Sequence, residues 1–414
     1  MTIRLTHAVL ALSLFLPAAA ATAQAPFEPA PVLKAGDVVP GIPLKTNEYD
    51  IATTVTVSSG LNQFSLGSIY GPYTVAGNDM LRDRVSEIRA IGILKNIQGT
   101  DAYKTGLENA GKGMAKNMKT LVTQPLETLS GIPVGVGRFF SNSYRAIKDP
   151  KKSKYEDSTA KQILGYSKAK RALAFQVGVD PYSSNEQLQE ILDDVAWAQF
   201  AGGMTVGVVA AVIPAGIGTA INLTNTSVEV SRMIENESPE NLRTINSGKL
   251  KALGVSKKQI DAFLGNPWYS PTRQTILTDA LNGMSDVKNI ALYINWAADA
   301  VSEEQAFFIQ NSAVLLRLCH ANRQPLRELY IAGALPVAET REGALVMALA
   351  ADYLYWGEKT ALTAEAIRAD LPAKFKDAGM TIVLSGTASP ALQNGIKPLK
   401  CEIVQNGLTV VGKR

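Results

Sequence analysis

The side chains that most often perform acid–base or metal chemistry are scarce in this chain, which has two histidines and two cysteines in 414 residues. His7 lies near the start, and the second histidine, His320, directly follows Cys319. Zinc sites and Cys/His nucleophile systems need several such side chains brought together. Neighbouring positions on a helix point about 100° apart, so Cys319 and His320 are poorly placed to act as a pair. The sequence therefore predicts no metal site and a structural role for His320.

Three short motifs match parts of the serine acyl-enzyme pattern, but their order is wrong for that chemistry. Ser158 and Lys161 match S-x-x-K, Ser183 and Asn185 match S-x-N, and K-T-G begins at Lys104. In such enzymes K-T-G follows the other two motifs and lies on a strand. Here it precedes them, inside a predicted helix, and motifs this short carry weight only in the right structural context. We therefore expect no acyl-enzyme chemistry.

Two pairs of adjacent carboxylates could supply an acid and a base, namely Asp193 with Asp194 and Glu303 with Glu304. Both pairs lie near predicted helix ends, where carboxylates commonly offset the helix dipole or face solvent. Glycine pairs elsewhere lack the third glycine and the strand–turn–helix context of a nucleotide-binding loop. No cofactor is therefore predicted, and a non-enzymatic protein is favoured. A hydrolase with a site assembled from distant residues is an alternative, which requires a deep polar pocket between the helical body and the C-terminal segment.

The elements that must position any site are organised around one uncharged stretch, Trp197 to Leu223, which reads WAQFAGGMTVGVVAAVIPAGIGTAINL. A helix capped by Ser183 runs into this stretch, and Pro214 breaks it, so residues 195–228 are predicted to form a helical hairpin. Small residues that let helices approach closely recur every four positions on its first arm: Gly203, Gly207 and Ala211. We favour a hairpin buried within the protein, with membrane insertion as the alternative.

Positive charge is concentrated in residues 102–172, where fourteen Lys or Arg face five Asp or Glu, a balance of +9 against +4 for the whole chain. Residues 102–122 form a predicted amphipathic helix with lysines on one side, and an apolar segment follows it. The basic surface so predicted consists of Lys112, Lys116, Lys119, Phe139 and Phe140. It suits an anionic membrane surface or an acidic partner in the cell envelope, unless the helix packs its apolar face on its own domain. Nucleic acid is not predicted as a partner, because aromatic residues do not alternate with the basic ones.

The first residues are typical of a cleaved secretory signal peptide. Arg4 supplies positive charge, residues 8–16 are apolar, and residues 21–23 form a small-residue cleavage site. Residues 1–23 are therefore expected to be removed during export. The mature protein is predicted to be periplasmic or secreted, with peripheral membrane contact through the basic surface.

The two cysteines lie in different predicted units, Cys319 in a helical bundle and Cys401 in the C-terminal segment. In an oxidising compartment they could form one disulfide that ties the two units together. Two unpaired buried thiols are the alternative, which the sequence leaves equally open.

The predicted fold is α+β and predominantly α-helical, with a small β meander, a central helical bundle holding the apolar Gly/Ala-rich hairpin, and a small C-terminal α/β unit. The C-terminal unit is expected to contain a hairpin around Gly343 and a closing β-α-β unit. N-cap signals for the bundle are Ser238, Ser256, Ser270 and Ser302. The predicted divisions are a signal peptide (1–23), an extended leader (24–47), a β meander plus helix (48–100), a basic helical segment (101–172), a helical bundle (173–325) and a hairpin with a β-α-β tail (326–414).

The runs YGPYTVAGNDMLRDRVSEIRAI, NPWYSP and DYLYW are similar to those of a group of exported bacterial proteins of unknown function. That resemblance implies export and a single evolutionary unit, and it carries no activity, cofactor or site residue. The leading hypothesis is an exported, non-enzymatic envelope protein that acts by binding or scaffolding. A membrane-inserting, pore-type protein that uses the apolar hairpin is the first alternative, and a periplasmic hydrolase is the second.

Overall fold

The computed structural model describes residues 27–113, 156–213 and 226–412. Within them the fold is α+β and mostly helical, with a strand meander at the front and a second sheet at the end, so the predicted fold class is confirmed. The α-helices are α1 (Ala35–Val38), α2 (Asn78–Gln98), α3 (Asp101–Gly113), α4 (Glu156–Gln176), α5 (Glu186–Phe200), α6 (Val206–Val212), α7 (Val228–Asn236), α8 (Pro239–Ala252), α9 (Lys257–Leu264), α10 (Pro271–Asn282), α11 (Ala291–Ala298), α12 (Glu303–Asn322), α13 (Glu358–Asp370), α14 (Pro390–Gly395) and α15 (Gly407–Gly412). The strands are β1 (Val32–Lys34), β2 (Tyr49–Ile51), β3 (Thr54–Ser58), β4 (Leu61–Ser68), β5 (Gly71–Ala76), β6 (Leu326–Ala332), β7 (Leu335–Thr340), β8 (Leu345–Leu349), β9 (Tyr353–Leu354), β10 (Met380–Leu384), β11 (Thr387–Ala388) and β12 (Cys401–Val404).

The first sheet is built around β4, whose side chains alternate between core and solvent, as a half-buried strand requires. β3 and β2 pair antiparallel with successive parts of one edge of β4, β1 extends the sheet beyond β3, and β5 pairs with the other edge. Phe64 and Leu66 of β4 are buried in one cluster with Leu81 and Val85 of α2. The predicted meander is therefore confirmed, and α2 covers its inner face.

Helix α2 belongs to two hydrophobic cores at once. Its first half joins the core of the meander through Leu81, Val85 and Ile88. Its second half, with Ile91 and Leu94, joins a core shared with α3, α4, α5 and α6. These apolar positions recur every three or four residues, which is the spacing that predicts one continuous helix. Both halves of α2 are therefore anchored by core packing, which fixes the positions of its polar side chains.

A turn divides the uncharged stretch before Pro214 is reached. α5 ends at Phe200 and α6 begins at Val206, so the helix predicted to run through this stretch is two helices. The turn brings Gly202 against α3, where an added Cβ would lie 2.0 Å from the carbonyl oxygen of Gly106. Only a glycine permits so close an approach of two backbones.

The small residues that recur every four positions are consequently divided between the turn and α6. Gly203 lies in the turn with a φ of +71°, whereas Gly207 and Ala211 lie on α6. Pro214 lies outside the described residues. Val209 of α6 is fully buried in the core that α6 shares with α2 and α5. Of the helices that the structure describes, none is both long and apolar enough to cross a membrane.

The middle of the chain is a succession of capped helices, as predicted. Each expected serine is an N-cap whose side-chain oxygen accepts a hydrogen bond from the backbone N–H three residues on: Ser238, Ser256, Ser270 and Ser302. α10 packs on both α8 and α12, and these helices contribute to the largest hydrophobic cluster of the described chain. The N-cap signals therefore located four helix starts correctly.

The C-terminal sheet has the strand order β12–β10–β8–β7–β6, parallel from β12 to β8 and antiparallel from β8 to β6. The predicted hairpin is formed by β7 and β8, and the closing β-α-β unit by β10, α14 and β12, so both are confirmed. β6 is an additional strand that the sequence did not predict. One face of the sheet packs on the helical core, and the other packs on α13 and α14.

Asp352, which lies between β8 and β9, forms hydrogen bonds with the first sheet and with the start of α2. Its Oδ2 accepts hydrogen bonds from the backbone N of Asn62 in β4 at 3.0 Å and from that of Asn78, the first residue of α2, at 3.1 Å. The backbone N of Asp352 donates in turn to the carbonyl oxygen of Gly60 at 2.9 Å. Burial raises the pKa of this carboxyl group to about 7, although the two N–H donors lower it. We call this arrangement the Asp352 clasp.

Candidate functional site

A cleft of roughly 980 Å³, part of it open to solvent, lies where four segments of the chain meet. They are the first half of α2, residues 178–184 before α5, residues 268–276 around the start of α10, and the first turns of α12. The charged side chains of the cleft are Asp83, Arg84, Glu87, Asp180, Arg273 and Glu303. The hydrogen-bond partners of each of these groups decide what the cleft can bind.

Three helix N-termini meet at the cleft, and a capping side chain sets each of them. Asn185 caps α5, Ser270 caps α10 and Ser302 caps α12. The predicted cap of α5, Ser183, is wrong by two residues, because the Asn185 side chain accepts the hydrogen bond from the backbone N of Leu188 instead. Ser183 is thereby placed beside α2, on the wall of the cleft.

Glu87 is occupied by contacts within the protein. The residue is only 6% exposed, and its Oε2 accepts hydrogen bonds from Arg84 Nη1 at 2.6 Å and from Asn185 Nδ2 at 3.0 Å. The hydroxyl of Ser183 donates to the other carboxylate oxygen. Such charge-assisted hydrogen bonds are among the strong ones in proteins. They fix α2 to the start of α5 and leave Glu87 little capacity for a ligand.

Asp180 is also committed to the protein. Its Oδ1 accepts hydrogen bonds from Thr272 Oγ1 at 2.7 Å and from the backbone N of Tyr182 at 2.9 Å, and Ser270 Oγ lies 3.5 Å from its Oδ2. Burial raises the pKa of this carboxyl group, whereas the bonds from Thr272 and Tyr182 lower it. The contacts hold the segment before α5 against the start of α10.

Asp83 and Arg273 face each other in the cleft without a hydrogen bond. Arg273 Nη2 lies 3.7 Å from Asp83 Oδ2, which is beyond hydrogen-bonding distance. Within the described part of the chain, neither the Arg273 guanidinium nor the Asp83 carboxyl group forms a hydrogen bond. The Arg273 side chain is only 13% exposed, and its guanidinium carbon lies 3.9 Å from the ring centroid of Phe307. A guanidinium with five N–H donors is therefore held in place on an aromatic ring with its hydrogen bonds unmade.

Asp83 is a carboxyl group that keeps its proton at neutral pH. Burial raises its pKa, Arg273 lowers it, and Glu87, Asp79 and Asp180 raise it further, to about 8. The side chain remains 36% exposed because it faces the cleft, so water there offsets part of the effect of burial. A neutral carboxyl group can donate one hydrogen bond, whereas an ionised one only accepts. Asp83 can therefore donate one hydrogen bond while it is protonated, and its oxygens can accept in either form.

Glu303 is the first residue of α12, where the helix N-terminus favours negative charge, as the sequence predicts for this position. Both of its carboxylate oxygens accept from the hydroxyl of Ser184, at 2.9 and 2.8 Å. A hydroxyl has one hydrogen, so most of the acceptor capacity of Glu303 is unused. Apolar atoms of Met80, Trp268 and Ile276 complete the wall of the cleft.

The serine motifs lie on separate elements. The S-x-x-K motif is on α4 and the K-T-G motif is on α3, whereas Ser183 is at the cleft. The Ser183 hydroxyl donates to Glu87, but Arg84 is paired with the same carboxylate. Arg84 and Asn185 also donate to this carboxylate, so its oxygens are engaged in contacts that hold α2 to the start of α5. The bond between Ser183 and Glu87 is therefore a structural one.

Of the predicted basic surface, only Lys112 lies within the described residues, on α3. The other members lie outside them: Lys116, Lys119, Phe139 and Phe140. α3 packs on α5, and its Tyr103 and Ala110 are buried in the core that α3 shares with α2. The described part of this helix thus packs its apolar side on its own domain, and contact of the basic surface with a membrane stays a prediction.

His320 occupies a structural position. Its Nδ1 accepts a hydrogen bond from the backbone N of Leu326 at 3.0 Å, and its Nε2 lies 3.2 Å from Asp286 Oδ1. The imidazole therefore ties the end of α12 to the start of β6. Cys319 and Cys401 are free thiols, buried in separate hydrophobic clusters. Among the residues that the structure describes, no group of three or more His, Cys, Asp or Glu side chains is arranged to hold a metal ion.

Sequence reasoning missed Asp83 and Arg273. Asp83 belongs to a run of alternating charges opposite the apolar stripe of α2, which is the ordinary pattern of a solvent-facing helix side. Arg273 is distant in sequence from Phe307, and nothing in the spacing indicates that the two meet. The signal that did point to the cleft was the S-x-N motif at Ser183, although its side chains support Glu87 and are not reactive groups.

Two of the runs that carry the resemblance contribute to the cleft: YGPYTVAGNDMLRDRVSEIRAI includes the first half of α2, and NPWYSP precedes α10. The resemblance to exported bacterial proteins itself stays a prediction. Comparison of the chain with protein-family models, with curated proteins and with solved structures found no match.

Proposed function

We propose that this is an exported binding protein whose ligand is a small polar molecule held in the cleft. The observation that carries the proposal is the pair of Arg273 and Asp83, whose side chains share a cleft and form no hydrogen bonds within the described chain. Their side chains are 13% and 36% exposed, so water in the cleft reaches both groups. A bound polar molecule can replace that water as their hydrogen-bond partner.

The surroundings of the pair favour binding with little rearrangement. Glu87 and Asp180 are committed to hydrogen bonds that lock α2, the segment before α5 and the start of α10 together. Phe307 fixes the plane of the Arg273 guanidinium from one side. A site whose supporting side chains are already locked loses little conformational entropy when a ligand enters.

This proposal keeps the binding role expected from the sequence and moves it from the basic surface to the cleft. The hydrolase alternative requires a polar pocket between the helical body and the C-terminal unit. The cleft lies instead between α2 and the helical body. Three serine hydroxyls of the cleft have carboxylate partners: Ser183 donates to the arginine-paired Glu87, Ser184 to Glu303, and Ser270 to Asp180. Each of these bonds joins two segments of the fold. Binding is therefore the better-supported role.

The test is a thermal-shift screen of the mature protein against sugars, amino acids, amines, organic acids and nucleosides. We expect at least one class to raise the melting temperature of the wild type, because a ligand that binds only the folded state stabilises it. Arg273→Met should abolish that shift. Arg323→Met is the matched control, because Arg323 is exposed at the end of α12, far along the helix from the cleft. A shift that survives in Arg273→Met would place the site elsewhere, and no shift with any class would remove the proposal.

The basic segment supports a second proposal, contact with an anionic membrane surface, which its local balance of +9 favours. Flotation with anionic vesicles should fall, and its salt dependence should weaken, when Lys112, Lys116 and Lys119 are changed to Gln. The control changes the same number of charges on exposed positions of α8 and α9: Lys251, Lys257 and Lys258 to Gln. Equal flotation of the two triple variants would exclude the basic surface, and flotation that salt cannot reverse would favour the insertion of the apolar hairpin.

A further inference from the structure

We infer that the cleft recognises an amino-acid-type zwitterion, whose carboxylate binds Arg273 and whose ammonium group binds Asp83. This inference rests on the proposed function, since it names the ligand class of the same cleft. It follows from the two uncommitted charges, their separation, and the apolar wall beside them.

Arg273 is suited to a carboxylate. A guanidinium presents parallel N–H donors that match the two oxygens of a carboxylate, and this bidentate geometry is the strongest use of an arginine side chain. The side chain is held against Phe307 at 3.9 Å from the ring centroid and is 13% exposed, so its donor edge is fixed and largely shielded from water. Shielding strengthens the attraction to an anion, because the local dielectric constant is lower than that of water.

Asp83 and Glu303 are suited to an ammonium group. An ammonium has three N–H donors and no acceptor, so it needs carboxylate oxygens that are not already used. Asp83 accepts no hydrogen bond within the described chain, and Glu303 shares one hydroxyl, that of Ser184, between two oxygens. The other two acids of the cleft, Glu87 and Asp180, are filled by protein donors.

The separation of the two charges fits this ligand class. The nearest atoms of Arg273 and Asp83 are 3.7 Å apart, too far for a hydrogen bond yet close enough for both groups to reach one small molecule. An α-amino acid carries its ammonium and carboxylate groups on the same carbon, so the two charges are also neighbours in the ligand. Met80, Trp268 and Ile276 then offer an apolar surface to the third substituent of that carbon.

A neutral, hydroxyl-rich ligand such as a sugar fits less well. It would leave Arg273 without an anionic partner and would put neutral hydroxyls on both Asp83 and Glu303. A simple anion would satisfy Arg273 but would bring no hydrogen-bond donor to the unused oxygens of Asp83 and Glu303. A zwitterion is the one small class that satisfies both signs at once.

Binding of the ammonium group must be linked to protonation. Burial raises the pKa of Asp83, Arg273 on α10 lowers it, and Glu87 and Asp79 on its own helix and Asp180 before α5 raise it further, to about 8. At pH 7 the carboxyl group therefore carries its proton, and a bound ammonium group, because it is a cation, favours the ionised form. Each binding event at pH 7 should release close to one proton, and the affinity should rise as pH rises from about 6 to 8.

The test is isothermal titration of the mature protein with the twenty L-amino acids at pH 7, in phosphate and in Tris. The tightest binder is then compared with the same molecule lacking its ammonium group and lacking its carboxylate. For L-leucine these analogues are 4-methylpentanoate and 3-methylbutylamine. We expect each analogue to bind at least about a hundredfold more weakly, because one leaves Arg273 without an anionic partner and the other brings no cation to Asp83 and Glu303. The difference in heat between the two buffers should correspond to about one proton released.

Two substitutions assign the contacts. Arg273→Lys should weaken binding by about tenfold or more, because a lysine keeps the charge but loses the bidentate geometry. Asp83→Asn should weaken binding and abolish proton release. Asp261→Asn, on the exposed side of α9, is the matched control and should change neither.

Equal binding of either analogue and the amino acid would overturn the inference, and so would tight binding without proton release. If no amino acid binds but another polar class binds and depends on Arg273, the inference fails while the proposed function stands. If no class binds, both fail.

Discussion

Asp83 in the cleft and Asp352 in the clasp are both aspartates at a joint between parts of the fold, and burial raises the pKa of each. Asp352 accepts two backbone hydrogen bonds at 3.0 and 3.1 Å, from residues that lie more than 270 positions away. Asp83 accepts none within the described chain, and its nearest cation is 3.7 Å away. Burial thus raises the pKa of both carboxyl groups, but only Asp352 accepts hydrogen bonds from the described chain.

That difference separates a carboxyl group that holds the fold together from one that is available to a ligand. A raised pKa alone does not distinguish them, because burial acts on both. What distinguishes them is whether the protein itself uses the oxygens. Four experiments sharpen or break this distinction, and the first has the largest expected effect.

Replacement of Asp352 by Ala should lower the free energy of unfolding by about 2–4 kcal/mol, because two backbone N–H groups lose their acceptor at once. Asp352→Asn should cost less than about 1 kcal/mol, since one amide oxygen can accept both hydrogen bonds that Oδ2 now accepts. Urea denaturation at pH 6 measures both. Equal losses in the two variants would mean that the acceptor oxygen is not what stabilises this joint, and the clasp would have to be reinterpreted.

The second prediction concerns pH. The pKa values of Asp352 and Asp83 are raised from 3.8 to about 7 and about 8, so between pH values of about 4 and 8 the folded protein binds more protons than the unfolded chain. The free energy of unfolding should therefore fall as pH rises through this window, by on the order of 1–3 kcal/mol. Urea denaturation at pH 5 and at pH 8 measures the change. Asp352→Asn should flatten the dependence up to about pH 7, and a wild type that gains stability over this range would contradict the assignment.

His320 belongs with Asp352 in this comparison, because both of its ring nitrogens have protein partners. His320→Ala should cost about 1–2 kcal/mol, chiefly because the buried backbone N–H of Leu326 loses its acceptor. Ligand binding in the cleft should be unchanged. Thermal unfolding measures the change in stability, and isothermal titration measures ligand binding. A loss of binding without a loss of stability would make His320 a candidate functional residue.

The smallest effect on stability is expected for Asp83. Asp83→Ala removes no hydrogen bond within the described chain, so the free energy of unfolding near pH 4 should change by less than about 1 kcal/mol. At pH 7 and above the variant should be slightly more stable than the wild type, because the unfolded wild type releases a proton that the folded protein keeps up to a pKa of about 8. A loss comparable with that of Asp352→Ala would show that Asp83 is structural and would weaken the case for the cleft.

The sequence specified the fold more fully than it specified the site, for physical reasons. Local signals sufficed where the structure is local: serine N-caps set four helices, and alternation set β4. Contacts between residues distant in sequence leave no such signal. The meeting of Gly202 with Gly106 ended α5 earlier than Pro214 indicated, and the cap at Asn185 displaced the one expected at Ser183.

The cleft could not be predicted from the sequence for the same reason. Asp83 and Arg273 each have an ordinary local explanation, a charged helix face and a first helical turn, and only their approach to 3.7 Å makes them a candidate pair. Glu303 was noticed for its neighbour Glu304, but its relevance comes from Ser184, which lies 119 positions away. Residue type identifies groups that could react, whereas tertiary contacts decide which of them are left without partners.

Helix α2 has a consequence for how the molecule unfolds. Its first half is part of the meander core, its second half is part of the α3–α6 core, and its first residue is capped by Asp352 from the C-terminal unit. None of these three parts can unfold alone without exposing an apolar face of α2 or breaking the hydrogen bond at its first residue. The backbone amides of α2 should therefore exchange with solvent only through global unfolding, and the parts that meet on α2 should melt in one cooperative step.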